Sequence, residues 1–492
     1  MQPNSARGLK VKDFAQLAIE HLKKAGVQYA DARLVAQRKE RIDVKDDKVE
    51  GIADQSSKGI GIRVLDKGAW GFASTSELEA GNVIACADRA LEIARASATT
   101  LITPVELDER PPQQGSWKSP RTIDPFETPL AQKVELLLKT CRIIREQPGV
   151  TTAKGNIMFI GEDKYFIDTE GADLHQDILH SGGGIEALAE KDGDVQKFSH
   201  PNSHRGDWGA AGYEWIEGIG LVENAEKTGK GAVELLSAME CPQGEYDLII
   251  AGPQLALQIH ESCGHPTELD RALGTEISLA GGSFMTPDRL GKLQYGSDKV
   301  NLYGDATIPG ALGSFGWDDE GVAAQRFDIV KDGLFVGYQM SRETAKSLGL
   351  NSNGTMRADG WARTPLIRMT NINLAYDPKG PTLDELIADT KRGLFMDINK
   401  SWSIDDLRLN FSFGCEYARL IEDGKLTALV KNPVYTALTP KFWGACDAVC
   451  NADSWRVWGV PNCGKGQPMQ TARVAHGCGA ARFRGIQVGR KK

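Results

Sequence analysis

The stretch LQIHESCGHPTELD, residues 257–270, contains two of the eight histidines in the chain, and a glutamate directly follows the first. The spacing H-E-x-x-x-H separates His260 from His265 by one residue more than H-E-x-x-H, the pattern that places two zinc ligands on one helix face. A regular α-helix would direct the two imidazoles about 140° apart. They can converge on one ion only if the helix gains a residue in one turn, as a π-bulge does, or ends between them.

The residues around this motif supply such a distortion. Pro253 favours the first turn of a helix, Gly264 weakens a helix, and Pro266 disfavours the α conformation at His265. We therefore predict a helix that begins near Pro253 and distorts or ends around Gly264. On this interpretation both imidazoles converge, and Glu261 faces the open side of a bound ion.

The composition limits the class of protein. A chain of 492 residues with 41% hydrophobic content is typical of two or three globular domains. A net charge of −8 argues against direct nucleic-acid binding through phosphate neutralisation. The start of the chain has no apolar leader, and no run approaches 18 apolar residues, so we expect no membrane association and a cytoplasmic protein. Nine scattered cysteines are expected to be reduced thiols.

Periodicity along the chain predicts an α+β fold. In the first half, a helical stripe ends at Gly26, and residues 30–75 alternate as an antiparallel meander. Short strands, including the turn-linked NIMFIGEDKYFIDTEGADLH, are expected beyond Val150. Further helices are predicted at residues 76–96, 128–146 and 217–238.

We place the domain boundary within residues 237–244. This gives an N-terminal α/β domain, residues 1–240, with antiparallel strands and long helices, and a β-rich C-terminal catalytic domain, residues 241–492. The second domain opens with the strand EYDLIIAG, which runs directly into the histidine helix, and hairpin patterns such as FDIVKDGLFVGY follow. Beyond the motif, helices are predicted at residues 342–348 and 383–394.

A catalytic zinc site needs a third protein ligand and one open position, and several residues qualify as that ligand. Cys463 is flanked by proline, asparagine and glycine, a turn composition that presents its side chain, and a thiolate favours zinc over magnesium or calcium. Glu268 and Asp270 closely follow the predicted helix, and acidic residues in that position are often surface charges. A single cysteine is often a small buried hydrophobe and not a ligand. Cys446 and Cys450 form only a weak zinc pattern. The other candidates are Glu268, Asp270, Cys263, His476 and Cys478.

Two further segments could bind substrate or could be structural. Trp317 and the acidic run WDDEG could line a groove or could pack at the surface. Arg357, Trp361 and Arg363 could hold a substrate carboxylate or could form an internal ion pair.

Taken together, these residues resemble the TldD/PmbA zinc metallopeptidases, a family long described as modulators of DNA gyrase. The resemblance covers nearly the whole chain. It is strongest in YADARLVAQRKERIDVKDDKVEGI, GIGIRVLDKGAWGFAS, IHESCGHPTELDRALG, ADGWARTPLIRMTNINL and PNCGKGQPMQTARVAHGCGAARF.

The resemblance implies a zinc ion (Zn²⁺) held by His260, His265 and Cys463, with Glu261 as the general base. It also implies peptide or unfolded protein substrates that bind as extended strands. Members of the family form dimers that enclose a protected active site, so the expected partner is a second copy or a homologous subunit that lacks the motif.

Two functions from different classes remain open. The leading hypothesis is a zinc-dependent peptidase, and the alternative is a peptide-binding or chaperone-like partner subunit with a structural metal. Four protein ligands would favour the alternative, whereas an open position facing Glu261 would favour the enzyme.

Overall fold

An eight-stranded, mostly antiparallel sheet forms the first half of the protein. The computed structural model describes residues 11–489 except 204 and 280. Most of the N-terminal segment, in which we expect no apolar leader, therefore lies outside the described residues. The strands are β1 (Tyr29–Lys45), β2 (Lys48–Asp66), β3 (Ala69–Thr75), β4 (Gln114–Lys118), β5 (Val150–Asp168), β6 (Asp173–Lys191), β7 (Asp194–His200) and β8 (Asp207–Gly209). Their order is β3-β2-β1-β5-β6-β4, and β7 and β8 also pair with β6.

The two faces of this sheet differ because successive side chains in a strand point to opposite sides. One face is apolar. On this face Leu34 of β1 packs against the first two helices of the chain, and Ile42 of the same strand packs against the third and fifth helices. The opposite face carries buried charged residues, including Arg33 and Lys164, towards the second half of the chain. The helices are α1 (Val11–Lys24), α2 (Ala80–Ala98), α3 (Leu130–Arg145), α4 (Glu214–Gly218) and α5 (Ala225–Leu236).

The meander over residues 30–75 is confirmed as β1 to β3, but two other predictions are wrong. NIMFIGEDKYFID is part of one 19-residue strand, β5, because β1 and β6 pair with it along most of its length. The helix predicted at residues 217–238 is two helices, α4 and α5, and Gly220 takes a left-handed φ of 63° between them.

A ten-stranded sheet forms the core of the second half. Its order is β18-β19-β22-β26-β10-β17-β20-β21-β9, with β23 beside β26, and a four-stranded sheet has the order β13-β12-β11-β16. Two hairpins, β14-β15 and β24-β25, complete the described strands. These strands are β9 (Met239–Glu240), β10 (Gly244–Ile250), β11 (Leu302–Asp305), β12 (Arg326–Lys331), β13 (Leu334–Phe335), β14 (Met356–Arg357), β15 (Leu366–Ile367), β16 (Ile372–Leu374), β17 (Arg392–Met396), β18 (Asn399–Ile404), β19 (Asn410–Cys415), β20 (Tyr417–Glu422), β21 (Lys425–Lys431), β22 (Val434–Leu438), β23 (Cys446–Val449), β24 (Arg456–Lys465), β25 (Gln470–Cys478) and β26 (Ala481–Val488).

The helices of the second half are short. The prediction of one helix over residues 383–394 is wrong at its end, because the helix stops at Ala388 and β17 begins at Arg392. Leu394 and Met396 are buried where β17 lies between β10 and β20, so sheet pairing outweighs the helical pattern. The helices are α6 (Gly252–Ile259), α7 (Leu269–Leu273), α8 (Arg342–Ser347), α9 (Leu383–Ala388) and α10 (Thr439–Gly444).

Mixed helices and sheets with a β-rich second half agree with the predicted α+β class. The boundary between residues 240 and 241 stays a prediction, although β9 already pairs with β21 of the second sheet. None of the described helices has the length and apolar composition needed to cross a membrane.

Candidate metal centre

The helix that carries the motif begins where the sequence predicts it. Strand β10 ends at Ile250, and α6 begins at Gly252 with Pro253 in its first turn. Gly252 has a φ of 48°, and a Cβ there would lie 2.3 Å from the carboxylate of Asp397. Glycine is therefore the residue that permits this sharp change from strand to helix.

A π-helical turn, His260–Gly264, follows α6 and brings the two histidines together. The backbone N–H of His265 donates to the carbonyl of His260, which is the i to i+5 bond of a π-helix. The two imidazole centroids lie 4.8 Å apart at an interplanar angle of 89°. Of the two predicted distortions, the structure has the π-bulge.

His265 keeps an α conformation, so the prediction that Pro266 displaces it is wrong. Its φ is −65° and its ψ is −43°. Pro266 lies in the first turn of a 3₁₀ helix, His265–Thr267, where the missing N–H of proline loses no helical hydrogen bond. Gly264 fits tightly under this turn, since a Cβ there would lie 2.1 Å from the sulfur of Met369.

A chain of hydrogen bonds sets the tautomer of His260. The Nδ1 of His476 lies 2.9 Å from the carbonyl oxygen of Ile372, which can only accept, so Nδ1 carries the proton. The Nε2 of His476 is then an acceptor for the Nδ1–H of His260, at 2.8 Å. This leaves the Nε2 of His260 with a lone pair for a metal.

His265 is fixed in the same way by a carboxylate. Its Nδ1 lies 3.0 Å from Oε2 of Glu268, which also accepts from Nε of Arg271 at 2.9 Å. The Nε2 of His265 therefore also keeps its lone pair. Burial lowers the pKa of both His260 and His265 below the ordinary value, which favours the neutral form that binds metals.

Cys463 of β24 reaches this pair from the other side. Its Sγ lies 3.6 Å from Nε2 of His265, and the donor atoms of His260, His265 and Cys463 all lie within 4.8 Å of one another. Burial alone would raise the pKa of the thiol, but His265 and Arg368 hold the pKa of Cys463 below its ordinary value. Two imidazole lone pairs and a thiol of lowered pKa fit a transition metal.

Glu261 lies in the same cleft, but its carboxylate is paired with Arg408. The side chains of Arg408 and Glu261 are 4% and 7% exposed. The cleft has a volume of ≈ 390 Å³. Its walls include Trp402, Ser403 and Ile404 of β18 and Val460, Asn462 and Gly464 of β24.

The remaining ligand candidates lie outside the three-donor cluster. Glu268 and His476 support the histidines, and Asp270 pairs with Lys465 at 2.7 Å. Cys263 and Cys446 lie in the main hydrophobic core, and Cys450 lies in a smaller core. The thiol of Cys478 donates to the carbonyl of Gly252 at 3.6 Å.

The segment WDDEG lies against the first sheet. Asp319 pairs with Lys164 at 2.8 Å, and Glu320 pairs with Arg63 at 3.3 Å. Trp317 packs on the cluster of Phe166, Ala172 and Leu174. Among the described residues, this segment contributes no wall to the cleft beside the histidines.

The segment that contains Arg357, Trp361 and Arg363 also lies against the first sheet, and among the described residues it contributes no wall to the cleft beside the histidines. The ring of Trp361 covers Gly59 of β2 so closely that a Cβ there would lie 2.4 Å from it. The carbonyl of Arg363 accepts from Arg33 at 2.5 Å, and Arg357 donates to the carbonyl of Met369 at 2.9 Å.

Sequence reasoning missed Arg408, Lys465 and Arg368. Each lies in a segment with no spacing that relates it to the histidines, and each reaches the site through tertiary packing. Arg368 donates to the carbonyl of Cys463 at 2.5 Å, so it supports the third donor. A turn of composition IDDLRLN gave no indication that Arg408 faces Glu261.

The fold and the side-chain cluster define a two-part α+β protein with a buried group of two histidines and one cysteine whose donor atoms fit a metal ion. Sequence comparison gives the family of the chain. The model of the PmbA/TldA metallopeptidase C-terminal domain matches residues 243–490, and the model of domain 1 of the same family matches residues 30–94. The chain therefore belongs to the PmbA/TldA metallopeptidase family.

Individual relatives agree with this membership. A Methanocaldococcus jannaschii protein named a metalloprotease is 29% identical over 415 residues, which cover 84% of this chain and 87% of that protein. A Methanothermobacter thermautotrophicus metalloprotease is 28% identical over 463 residues, 94% of this chain and 96% of that protein.

Solved structures share the fold at low sequence identity. A Thermotoga maritima crystal structure, described as a proposed modulator of a DNA gyrase, has a TM-score of 0.75 at 16% identity and covers 98% of this chain and 100% of that chain. The crystal structure of TldE from Thermococcus kodakarensis has a TM-score of 0.72 at 16% identity and covers 96% of this chain and 100% of that chain.

Proposed function

We propose that this chain is a zinc-dependent peptidase in which His260, His265 and Cys463 hold the ion and Glu261 is the general base. The observation that carries the proposal is the convergence of two fixed imidazole lone pairs and one thiol within 4.8 Å. Three donors in the described part of the chain, beside a cleft, leave room for a fourth ligand from solvent. A structural site would use four protein donors.

The donor set favours zinc. Thiolate and imidazole ligands select softer transition ions over magnesium and calcium, and zinc takes this combination in tetrahedral sites. When bound, the ion would polarise a substrate carbonyl and lower the pKa of water.

Glu261 supplies the proton-transfer group. Its carboxylate lies in the cleft that the three donors line, directly after His260 in the π-turn. We assign it to accept the proton of the attacking water and to return that proton to the leaving amine.

The edge of the second sheet supports an extended substrate. Among the described strands, β18 pairs with β19 and with no other strand, and its residues Trp402, Ser403 and Ile404 line the cleft. A peptide can add to such an edge through main-chain hydrogen bonds that do not depend on its sequence. His260, Glu261, His265 and Cys463 are all buried, so an extended chain can approach them more readily than a folded domain.

We also propose that the active form is a dimer with an enclosed chamber, formed with a second copy or with a homologous subunit that lacks the motif. The similarity in fold to TldE supports a related partner. Light scattering of the pure protein, alone and with such a subunit, measures the oligomeric state.

The nine cysteines are all free thiols, which supports a reducing compartment such as the cytoplasm.

Replacing Glu261 by Gln tests the peptidase. The amide keeps the size of the side chain and leaves the three donors in place, so zinc should stay bound while cleavage of an unfolded protein falls at least about a hundredfold. Mass spectrometry of the digest and zinc per chain are the measurements. The native form of the same substrate should be cut much more slowly than the unfolded form.

The matched control is Glu92→Gln on α2, because the side chain of Glu92 is 68% exposed at the surface. It should keep full cleavage. Cleavage by Glu261→Gln at the rate of the parent would overturn the proposed mechanism. Binding of unfolded protein by the parent without any cleavage would support the chaperone-like alternative instead.

A further inference from the structure

Arg408 is buried against the carboxylate assigned as the general base. Its Nη1 donates to Oε2 of Glu261, and Arg408 and Glu261 lie together in the wall of the cleft. The pair joins the π-turn to the connection between β18 and β19. It therefore links the motif to the edge strand that borders the same cleft.

The backbone holds Arg408 in an unusual conformation. Its φ is 64°, a left-handed value that is strained for a residue with a Cβ. Its N–H donates to the carbonyl of Asp405 at 2.9 Å, and its own carbonyl accepts from Oγ1 of Thr439 at 2.8 Å. The carboxylate of Asp405 accepts from the N–H of Leu409 at 2.7 Å. These bonds fix the turn that presents the guanidinium to the cleft.

Glu261 needs such a partner in order to be held in one place. A glutamate side chain has three rotatable bonds, and an ionised carboxylate that is 7% exposed is costly without a hydrogen-bonded cation. The guanidinium holds Oε2 of Glu261, and this bond restricts the rotation of the whole carboxylate.

We propose that Arg408 is a positioning residue that holds Glu261 in its working orientation. The inference rests on the proposed function, since it assigns Arg408 to the general base of that reaction. Arg408 acts through Glu261 and not on the ion, because the three donors are fixed by His476, Glu268 and Arg368.

The test compares Arg408→Ala and Arg408→Lys with the parent. Arg408→Ala should lower kcat at least about tenfold with little change in KM and with zinc still bound, because the carboxylate is misplaced and the ligands are not. Arg408→Lys keeps a cation and should restore part of kcat. Added guanidinium ion should restore part of kcat in Arg408→Ala and none in Glu261→Gln.

The matched control is Arg326→Ala, since Arg326 is an exposed arginine stacked on Tyr303 at 4.0 Å. It should leave kcat unchanged and show no response to guanidinium. A purely structural role for Arg408 would lower the yield of folded protein in both Arg408 variants and give no guanidinium rescue, which would overturn the inference.

The double variant Glu261→Gln with Arg408→Ala separates the two proposals. If Arg408 acts through Glu261, the double variant should be no less active than Glu261→Gln alone. Full kcat in Arg408→Ala beside an inactive Glu261→Gln overturns the positioning role and leaves the peptidase in place. Full kcat in Glu261→Gln overturns the peptidase mechanism itself.

Discussion

At the scale of single residues, the hydrogen-bond partners of the two histidines prepare them for a metal. The carbonyl of Ile372 fixes the tautomer of His476, which in turn accepts the Nδ1–H of His260. Glu268 accepts the Nδ1–H of His265. Burial lowers the pKa of both rings below the ordinary value, which favours the neutral form that binds metals. Partners of this kind orient a metal-binding histidine and fix its tautomer, so in the proposed site His476 and Glu268 are the residues that orient the two histidine ligands.

We expect Cys463→Ser to lose zinc and activity together. A hydroxyl does not replace a thiolate of lowered pKa, and two imidazoles alone bind zinc weakly. The measurement is zinc per chain after dialysis against a mild chelator. Cys478→Ser and Cys263→Ser are matched controls that should keep zinc, although each loses some stability because a hydroxyl is buried. Retention of zinc by Cys463→Ser and its loss in either control would require a different ligand set.

The clustering of His260, His265 and Cys463 was expected from the sequence, whereas the residues that support them were not. The spacing H-E-x-x-x-H indicates the two histidines, but the residues alone leave Cys463 as one of several third-ligand candidates, and only the family resemblance singles it out. Glu268 follows the motif closely, but its sequence position does not distinguish a ligand from a partner of His265. Arg408 is more than a hundred residues away, and tertiary packing alone brings it to Glu261.

At the scale of elements, the π-turn is the device that makes a five-residue spacing work. Its wider turn places His265 on the same side as His260, and the 3₁₀ turn after it accommodates Pro266. The misfit to a regular helix was enough to predict a distortion. The sequence left open which distortion occurs, because Gly264 is compatible with an ending as well as with a bulge.

Gly264→Ala should disturb this turn, since the added Cβ would lie 2.1 Å from the sulfur of Met369. We expect a loss of about 1 to 3 kcal/mol in the free energy of unfolding, with weaker zinc binding as the turn shifts. Urea unfolding and zinc titration are the measurements. Gly218→Ala in α4 is the control, because a Cβ there would meet no atom within 4 Å. An equal effect of the two substitutions would mean that close packing at Gly264 is unimportant.

Other elements were predicted less well, for reasons of pairing. The alternation in residues 150–168 indicates strand, but the length of β5 depends on β1 and β6, which pair with it along most of its length. The pattern in residues 383–394 is helical for one turn and a half, and residues 392–394 belong to β17, which pairs with β10 and β20. Such choices depend on partners far away in the chain.

At the scale of the whole molecule, buried ion pairs join the two halves. Asp319 lies between Lys164 and Arg33 of the first sheet, at 2.8 and 3.5 Å, and Glu320 meets Arg63. These side chains are almost fully buried, so each charged group depends on its oppositely charged partner to replace the water that it loses. The segment WDDEG, which the sequence offered as a possible groove, thus fixes the position of the second half against the first.

The pKa of Asp319 makes this contact depend on pH. Burial alone would raise the pKa, but Lys164 and Arg33 lower the pKa of Asp319 to about 2 from the ordinary value of 3.8. A carboxyl group with a lowered pKa in the folded state stabilises that state above the unfolded pKa, and the contribution is lost as the pH falls. The window for this group is therefore pH 3.8 down to about 2.

Asp319→Asn should lower the free energy of unfolding at pH 7 by about 3 kcal/mol, because it leaves two buried cations without their carboxylate. The difference from the parent should narrow as the pH falls below about 4, where the parent begins to lose the same ion pair. Urea unfolding followed by tryptophan fluorescence at several pH values measures both effects.

Asp54→Asn is the matched control, since Asp54 pairs with Arg38 at the surface, where the side chain of Arg38 is 43% exposed and that of Asp54 is 45% exposed. It should cost less than about 1 kcal/mol. A cost for Asp319→Asn that is as small as that of the control, or that does not change with pH, would show that this buried contact does not hold the two halves together.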